Sequence, residues 1–278
     1  MEGLFPDRLL TAPDVKTLQM TEENQISISE FEIILPDGDP VSAFYVRPGS
    51  DGKYPGLLYS HWLERSPDDN KTQFLEEAKQ LAAQGYVCLL VDTVFADWPE
   101  SRLNWTGVDS QFDRGIVIQQ IRELRYCLAL LRSRPEVDRQ RLALVGHDFG
   151  AMFNSVLAGI ENDIKACVIM AAVPDFSDWF TLNNKISGPE RQSYCDAMAD
   201  LAPAGYLAAA RNTAFLFQFG ESDLFFVPKQ RAELLVEQTG GPKAVKWYDT
   251  DHAIHRHPGA SDDRVSWLRD KLKPDGGQ

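Results

Sequence analysis

Short apolar runs that alternate with helical patterns constrain the fold of this chain most. The runs occupy residues 56–60, 86–91, 141–146, 166–171, 214–219 and 244–248. The helical patterns between and after them occupy residues 72–83, 112–132, 149–159, 229–238 and 261–272. Such alternation is typical of a mostly parallel sheet with helices on both faces. We therefore predict a single α/β domain over residues 1–278.

The start of the sheet and two long connections do not follow this rhythm. Residues 26–35 and 41–46 read as strands joined by the turn-forming sequence P-D-G-D-P, which predicts an antiparallel opening hairpin. Residues 93–111 and 173–213 have no place in the sheet, and long connections of this kind are often lids or binding loops. We predict that residues 173–213 form a short helical lid inserted in the domain.

The charge balance excludes several classes of partner. The chain has 41 acidic and 28 basic residues and a formal net charge of −13, so its surface should repel nucleic acids and anionic headgroups. It carries neither a signal-like segment nor a membrane-spanning apolar run. We expect a cytoplasmic protein whose partners are a small-molecule substrate and water, with no nucleic acid and no membrane; a homodimer is left open.

A strand, a sharp turn and a helix are predicted over residues 142–152, L-A-L-V-G-H-D-F-G-A-M. Glycines on both sides of the turn permit a strained backbone that lifts one side chain above the sheet, beside the positive end of the helix. The lifted residue here is Asp148. The alternative interpretation is that Asp148 is an ordinary helix N-cap.

Two further residues complete a candidate triad. Asp223 follows the strand at 214–219 and His252 follows the strand at 244–248, in the order nucleophile, acid, histidine. We predict that Asp148, Asp223 and His252 are the catalytic residues. The alternatives are two other acids, and two other histidines that we expect at the surface: Asp175, Asp178, His255 and His257.

On these motifs the chain resembles the α/β-hydrolase superfamily over nearly its whole length, and within it the dienelactone-hydrolase-like branch. The likeness is carried by the opening hairpin, by K-Y-P-G-L-L-Y-S-H-W at 53–62, S-R-P-E-V-D at 133–138 and F-G-E-S-D at 219–223. Members of that branch have Cys or Ser at the elbow. The elbow G-H-D-F-G-A at 146–151 instead resembles that of epoxide hydrolases and haloalkane dehalogenases.

The residue at the elbow indicates the reaction. A carboxylate that attacks an acyl carbon forms an anhydride, whereas one that opens an epoxide or displaces halide forms an ordinary ester. The elbow therefore favours a hydrolase that forms a covalent alkyl ester on Asp148 with a small apolar substrate. His252 would activate the water that hydrolyses this ester, and Asp223 would orient the imidazole. No metal or organic cofactor is expected.

The resemblance also implies which groups contact the substrate. The N–H groups of Phe149 and Trp62 are expected to form the oxyanion hole. Because Phe149 and Met152 are apolar, small carboxylate substrates are disfavoured. The predicted substrate-binding side chains lie next to the first loop of the site or in the lid: His61, Trp62, Trp179, Tyr194 and Tyr206.

Two other functions are compatible with the same residues. The first is a dienelactone-hydrolase-like esterase or lactonase, in which Asp148 acts as a base for water. The second is a non-catalytic, ligand-binding α/β-hydrolase homologue that has lost its nucleophile.

Overall fold

One nine-stranded sheet organises the chain in a computed structural model, which describes residues 4–5, 10–36, 38–63, 70–96 and 106–273. The strands are β1 (Asp14–Glu23), β2 (Ile26–Ile34), β3 (Val41–Pro48), β4 (Tyr54–Ser60), β5 (Val87–Val91), β6 (Val137–His147), β7 (Ile164–Met170), β8 (Ala214–Gly220) and β9 (Lys243–Tyr248). Their order is β1-β2-β3-β5-β4-β6-β7-β8-β9. The strands from β5 to β9 in this order are parallel, while β1, β2 and β3 run antiparallel to their neighbours.

Helices cover both faces of the sheet. They are α1 (Leu75–Ala82), α2 (Ser110–Ser133), α3 (Phe149–Ile160), α4 (Phe176–Phe180), α5 (Gly188–Met198), α6 (Pro203–Ala209), α7 (Lys229–Gln238) and α8 (Pro258–Lys271). Side chains of α2, α3, α6 and α7 pack into one buried cluster, and those of α1 and α8 pack into the other. The predicted α/β architecture is confirmed. None of these helices in the described ranges is long and apolar enough to cross a membrane.

The antiparallel opening of the sheet has one strand more than expected. The predicted hairpin corresponds to β2 and β3, which pair from Ile26↔Pro48 to Ile33↔Val41. Strand β1 pairs with the other edge of β2, and its side chains are almost all exposed. A strand without alternating apolar residues lacks the period that marks a half-buried strand, so the sequence did not indicate it.

The predicted lid over residues 173–213 reaches the cleft at the carboxyl edge of the sheet only in its first part. Helix α4 and the two residues Leu182 and Asn183 lie at the cleft. Helix α5 instead packs against α2, and α6 packs against α3 on the side of the domain. The boundaries of the predicted lid therefore include a segment that belongs to the helical layer.

Candidate active site

Asp148 occupies a strained turn between β6 and α3. Its backbone has φ 57° and ψ −126°, and its N–H donates to the carbonyl of Met170 at 2.9 Å. Such a conformation costs a residue with a side chain about 1–3 kcal/mol, so it persists only where the surroundings hold it. The side chain makes no capping hydrogen bond to α3. The N-cap interpretation of Asp148 is therefore wrong.

The two glycines of the elbow are required by close backbone contacts. A Cβ atom on Gly150 would overlap the carbonyl oxygens of Ser60 and His61, in the loop that follows β4. A Cβ atom on Gly146 would overlap the backbone of Ala151. The elbow and the loop after β4 are thus packed directly against each other, which fixes Asp148 relative to that loop.

The three predicted triad residues lie together at the carboxyl edge of the sheet. Asp223 follows β8 and His252 follows β9. The Nδ1 atom of His252 lies 2.6 Å from Oδ2 of Asp223, and its Nε2 atom lies 3.5 Å from Oδ2 of Asp148. The imidazole therefore bridges two carboxylates.

This position controls the protonation of His252. Burial lowers the pKa of its imidazole, but the hydrogen bonds and negative charges of Asp148 and Asp223 outweigh burial and raise the pKa to about 10. Both carboxylates are buried, with exposures of 7% for Asp148 and 4% for Asp223. At neutral pH His252 is therefore an imidazolium, which can give a proton but cannot take one.

The alternative acids have partners elsewhere. The guanidinium of Arg231 donates to Oδ2 of Asp175 at 2.7 Å and to Oδ2 of Asp178 at 3.0 Å. These ion pairs join the start of α4 to α7. Asp223 alone of the three acids contacts His252 among the described residues.

The alternative histidines also have structural roles. His257 accepts a hydrogen bond from the N–H of Ala260 at 3.2 Å and so caps α8. His255, which was expected at the surface, packs edge-on against Trp62 with ring centres 4.7 Å apart. Within the described residues no cluster of His, Cys, Asp or Glu could hold a metal ion.

The N–H group that contacts Asp148 comes from one residue later than expected. The N–H of Leu63 donates to Oδ2 of Asp148 at 3.2 Å, whereas the N–H of Trp62 donates to Oε1 of Gln73 at 3.1 Å. The prediction for Trp62 is corrected because Gln73 takes its N–H. Phe149 is the first residue of α3, where N–H groups have no acceptor within the helix.

His61 lies in the core and not in the substrate pocket. It is 1% exposed, and its Nδ1 donates to the carbonyl of Trp62 at 2.6 Å while its Nε2 accepts from the N–H of Thr93 at 2.8 Å. The predicted substrate-binding role is therefore wrong. The ring instead connects the loops that follow β4 and β5.

Both predicted lid tyrosines hold the helical layer together away from the pocket. The hydroxyl of Tyr194 on α5 donates to Oδ2 of Asp113 on α2 at 2.5 Å. The hydroxyl of Tyr206 on α6 donates to the carbonyl of Asp200 at 3.1 Å. Neither lines the cleft at Asp148. Their assignment as substrate-binding residues is wrong because the outer part of the predicted lid packs on α2 and α3.

A cavity of about 550 Å³ opens at Asp148, Asp223 and His252. Its walls are mostly apolar and include the predicted residues Trp62, Trp179 and Phe149. The indole N–H of Trp179 donates to the carbonyl of Phe226 at 2.7 Å, so this N–H is used within the protein. The other side chains around the cavity are Leu63, Leu182, Asn183, Ser222, Phe225, Phe226, Asp251, Ala253 and Arg256.

Sequence reasoning missed two features of this wall. Phe225 and Phe226 follow the acid Asp223 closely and are 65% and 44% exposed, which is unusual for large apolar side chains. Arg256 lies four residues after His252, and its guanidinium stacks over the ring of Trp62 at 5.3 Å. Their closeness in sequence to Asp223 and His252 is the signal that could have indicated these residues. The cation also means that the pocket is not wholly apolar.

Comparisons with known proteins found relatives and structural neighbours that are named as esterases and hydrolases. None of the known family models matches the chain. Esterase FrsA of Salmonella schwarzengrund is 24% identical over 260 residues, which cover 82% of this chain and 57% of that protein. Esterase FrsA of Salmonella paratyphi B is 27% identical over 179 residues, covering 62% of this chain and 38% of that protein. The matched regions thus span 57% of the first of these relatives and 38% of the second.

Solved structures match nearly the whole chain. An acetyl xylan esterase from Paenibacillus sp. R4 has a TM-score of 0.71 at 18% identity, covering 95% of this chain and 90% of its own. An S-formylglutathione hydrolase from Agrobacterium tumefaciens has a TM-score of 0.70 at 19% identity, with coverages of 92% and 99%. A putative dienelactone hydrolase from Klebsiella pneumoniae has a TM-score of 0.63 at 16% identity, with coverages of 90% and 99%. The chain has the α/β-hydrolase fold.

Proposed function

We propose that the protein hydrolyses carboxylic esters, with Asp148 as the base that activates water and His252 as the acid that protonates the leaving alcohol. The observation that carries this assignment is the imidazole of His252 between two buried carboxylates. Its pKa of about 10 makes it an acid at neutral pH, so the base must be another group. The curated relatives named as esterases support the choice of substrate bond.

The proposed reaction needs no group beyond these side chains and water. Asp148 removes a proton from water as the water oxygen bonds to the acyl carbon of the ester. The tetrahedral intermediate then collapses, the bond to the alkoxy oxygen breaks, and His252 Nε2 gives its proton to that oxygen. The proton held by Asp148 passes to His252 over the 3.5 Å between Oδ2 and Nε2, which restores the starting state.

The intermediate carries a negative charge that backbone N–H groups would stabilise. The N–H of Phe149 stands at the start of α3, a twelve-residue helix whose N-terminus favours negative charge. The N–H of Leu63 already donates to Asp148, so it would hold the base in place. Asp223 keeps the imidazolium oriented through its 2.6 Å hydrogen bond.

The pocket wall points to an ester with an apolar acid or alcohol group. Trp179, Phe225 and Phe226 present apolar surface to the cavity. Burial of each methylene group of a substrate is worth about 0.8 kcal/mol, so the wall would favour longer chains. A cavity of about 550 Å³ is the size of a small-molecule site.

A second candidate is the displacement reaction that forms an alkyl ester on Asp148. The strained elbow favours it, because φ 57° presents the carboxylate as a nucleophile elbow presents its reactive side chain. Esterification would remove the charge of Asp148, and the pKa of His252 would fall. The imidazole could then act as the base that the second step requires. Relatives named as esterases support ester hydrolysis instead, so we rank this candidate second.

Ester hydrolysis tests the proposal directly. We expect the purified protein to hydrolyse p-nitrophenyl esters, and Asp148→Asn and His252→Gln to lower kcat by roughly 10²- to 10⁴-fold, the usual contribution of a general acid or base. Asp249→Asn, in the same loop as His252 but exposed and outside the cavity, is the matched control. Unchanged turnover in Asp148→Asn would refute the role of Asp148.

Intact-protein mass spectrometry separates the two reactions. His252→Gln is incubated with epoxides, haloalkanes and activated esters, and any adduct is mapped. An alkyl adduct on Asp148 would establish the displacement reaction. Ester turnover in the unmodified protein without such an adduct supports the proposed function. No turnover and no adduct with any of these substrates would favour a non-catalytic homologue.

A further inference from the structure

A line of three hydrogen bonds runs behind the triad. The N–H of Trp62 donates to Oε1 of Gln73 at 3.1 Å, Nε2 of Gln73 lies 2.7 Å from Nδ1 of His147, and Nε2 of His147 lies 2.9 Å from the carbonyl oxygen of His252. A carbonyl oxygen only accepts, so His147 must carry a proton on Nε2. Its Nδ1 then accepts from Gln73, and every bond in the line has one donor and one acceptor.

We propose that Gln73 and His147 are positioning residues that hold both contacts of Asp148 in place at once. Trp62 directly precedes Leu63, whose N–H donates to Oδ2 of Asp148. The other end of the line is the backbone of His252, whose imidazole faces the same oxygen at 3.5 Å. This inference rests on the proposed function for its effect on turnover, whereas the hydrogen-bond line itself does not.

The line joins loops that follow two strands not paired with each other. Trp62 and Leu63 follow β4, and His252 follows β9, on opposite sides of β6 in the sheet. His147 is the last residue of β6 and is fully buried, so its ring can reach both sides. The ring of Trp62 stacks on it with centres 5.1 Å apart and an interplanar angle of 15°.

The line stays intact only while His147 is neutral, and its surroundings keep it so. Burial lowers the pKa of His147 well below its ordinary value, and the positive charge of His252 acts in the same direction. His255 and the guanidinium of Arg264 also disfavour a second positive charge, while the carbonyl of His252 favours one. A cationic His147 would give Nδ1 a proton and break the hydrogen bond from Gln73.

Nuclear magnetic resonance tests the line without any substrate. The chain has five histidines, so ¹⁵N-detected imidazole spectra can be assigned by comparison with a His147→Phe variant. We expect His147 to show a single Nε2–H tautomer that does not titrate from mildly acidic to alkaline pH. An Nδ1–H tautomer, or titration near the ordinary pKa of histidine, would overturn the proposal even if the protein has no esterase activity.

Kinetics test the positioning role. Gln73→Met keeps the length of the side chain and removes both hydrogen bonds, and Gln119→Met, at an exposed position on α2, is the control. We expect kcat to fall roughly 10- to 100-fold with KM within about twofold, because small displacements of reacting groups reduce turnover more than binding. A wild-type kcat in Gln73→Met, or an equal fall of kcat in Gln119→Met, would overturn the positioning role. If Gln73→Met does not fold, the tautomer of His147 in the unmodified protein decides.

Discussion

Asp223→Asn tests the origin of the imidazolium in the site. Asparagine keeps the shape of the side chain and can still accept a hydrogen bond from Nδ1 of His252, but it removes a negative charge 2.6 Å away. Asp223 is only 4% exposed, so solvent does little to compensate for the lost charge. The variant therefore changes the charge next to the imidazole and little else.

The magnitude follows from the pKa of His252. Because only the protonated imidazole can donate, kcat/KM of the unmodified protein should fall as pH rises through about 10. An opposite charge at this distance moves a pKa by roughly 1 to 3, so the fall should shift to roughly pH 7–9 in Asp223→Asn. Asp249→Asn, which changes a charge outside the cavity, should leave the profile where it is.

The assay is the pH dependence of kcat/KM for one activated ester, measured in the three proteins from mildly acidic to strongly alkaline pH. A histidine that acts as a base would give a rate that rises through the ordinary pKa of histidine. Such a rise in the unmodified protein, or an alkaline limb that does not move in Asp223→Asn, would refute the reasoning.

Two further predictions concern the pocket wall and the elbow. Phe225→Ala should lower the ratio of kcat/KM for octanoyl over acetyl p-nitrophenyl esters roughly tenfold, equivalent to about two methylene groups of buried contact. Leu224 is about equally exposed but lies outside the cavity, so Leu224→Ala should leave this ratio unchanged. An equal change of the ratio in both variants would contradict the assigned wall. Gly150→Ala should lower the melting temperature by several degrees, because overpacking costs about 1–3 kcal/mol, whereas Gly115→Ala, which meets open space on α2, should not lower it. Equal melting temperatures of Gly150→Ala and the unmodified protein would show that the elbow is not tightly packed against the loop after β4.

The sequence was sufficient to predict the features of the site that depend on chain order and topology. Asp148, Asp223 and His252 each follow a predicted strand, and the carboxyl ends of parallel strands meet at one edge of the sheet. The spacing of Gly146 and Gly150 around Asp148 already indicates that a tight turn excludes side chains at both positions. For Asp148, Asp223 and His252, chain order and sheet topology are enough to predict that they meet at one edge of the sheet.

The features that depend on individual side-chain partners were not predictable in the same way. Whether Trp62 or Leu63 directs its N–H at Asp148 depends on Gln73, which is distant from the elbow in sequence and reaches the loop only after folding. Tyr194 and Tyr206 occupy a segment without strands, but their hydroxyl groups find acceptors in the helical layer. Composition and spacing do not encode which face of such a segment meets the cleft.

The most direct test of the central claim is the position of oxygen-18 after a single turnover in labelled water, with protein in excess over an ester substrate. Direct attack by water activated by Asp148 places the label in the carboxylic acid product and leaves the carboxylate of Asp148 unlabelled. A label in the peptide that contains Asp148, together with an unlabelled acid product, would contradict the account and establish a covalent intermediate on Asp148 instead.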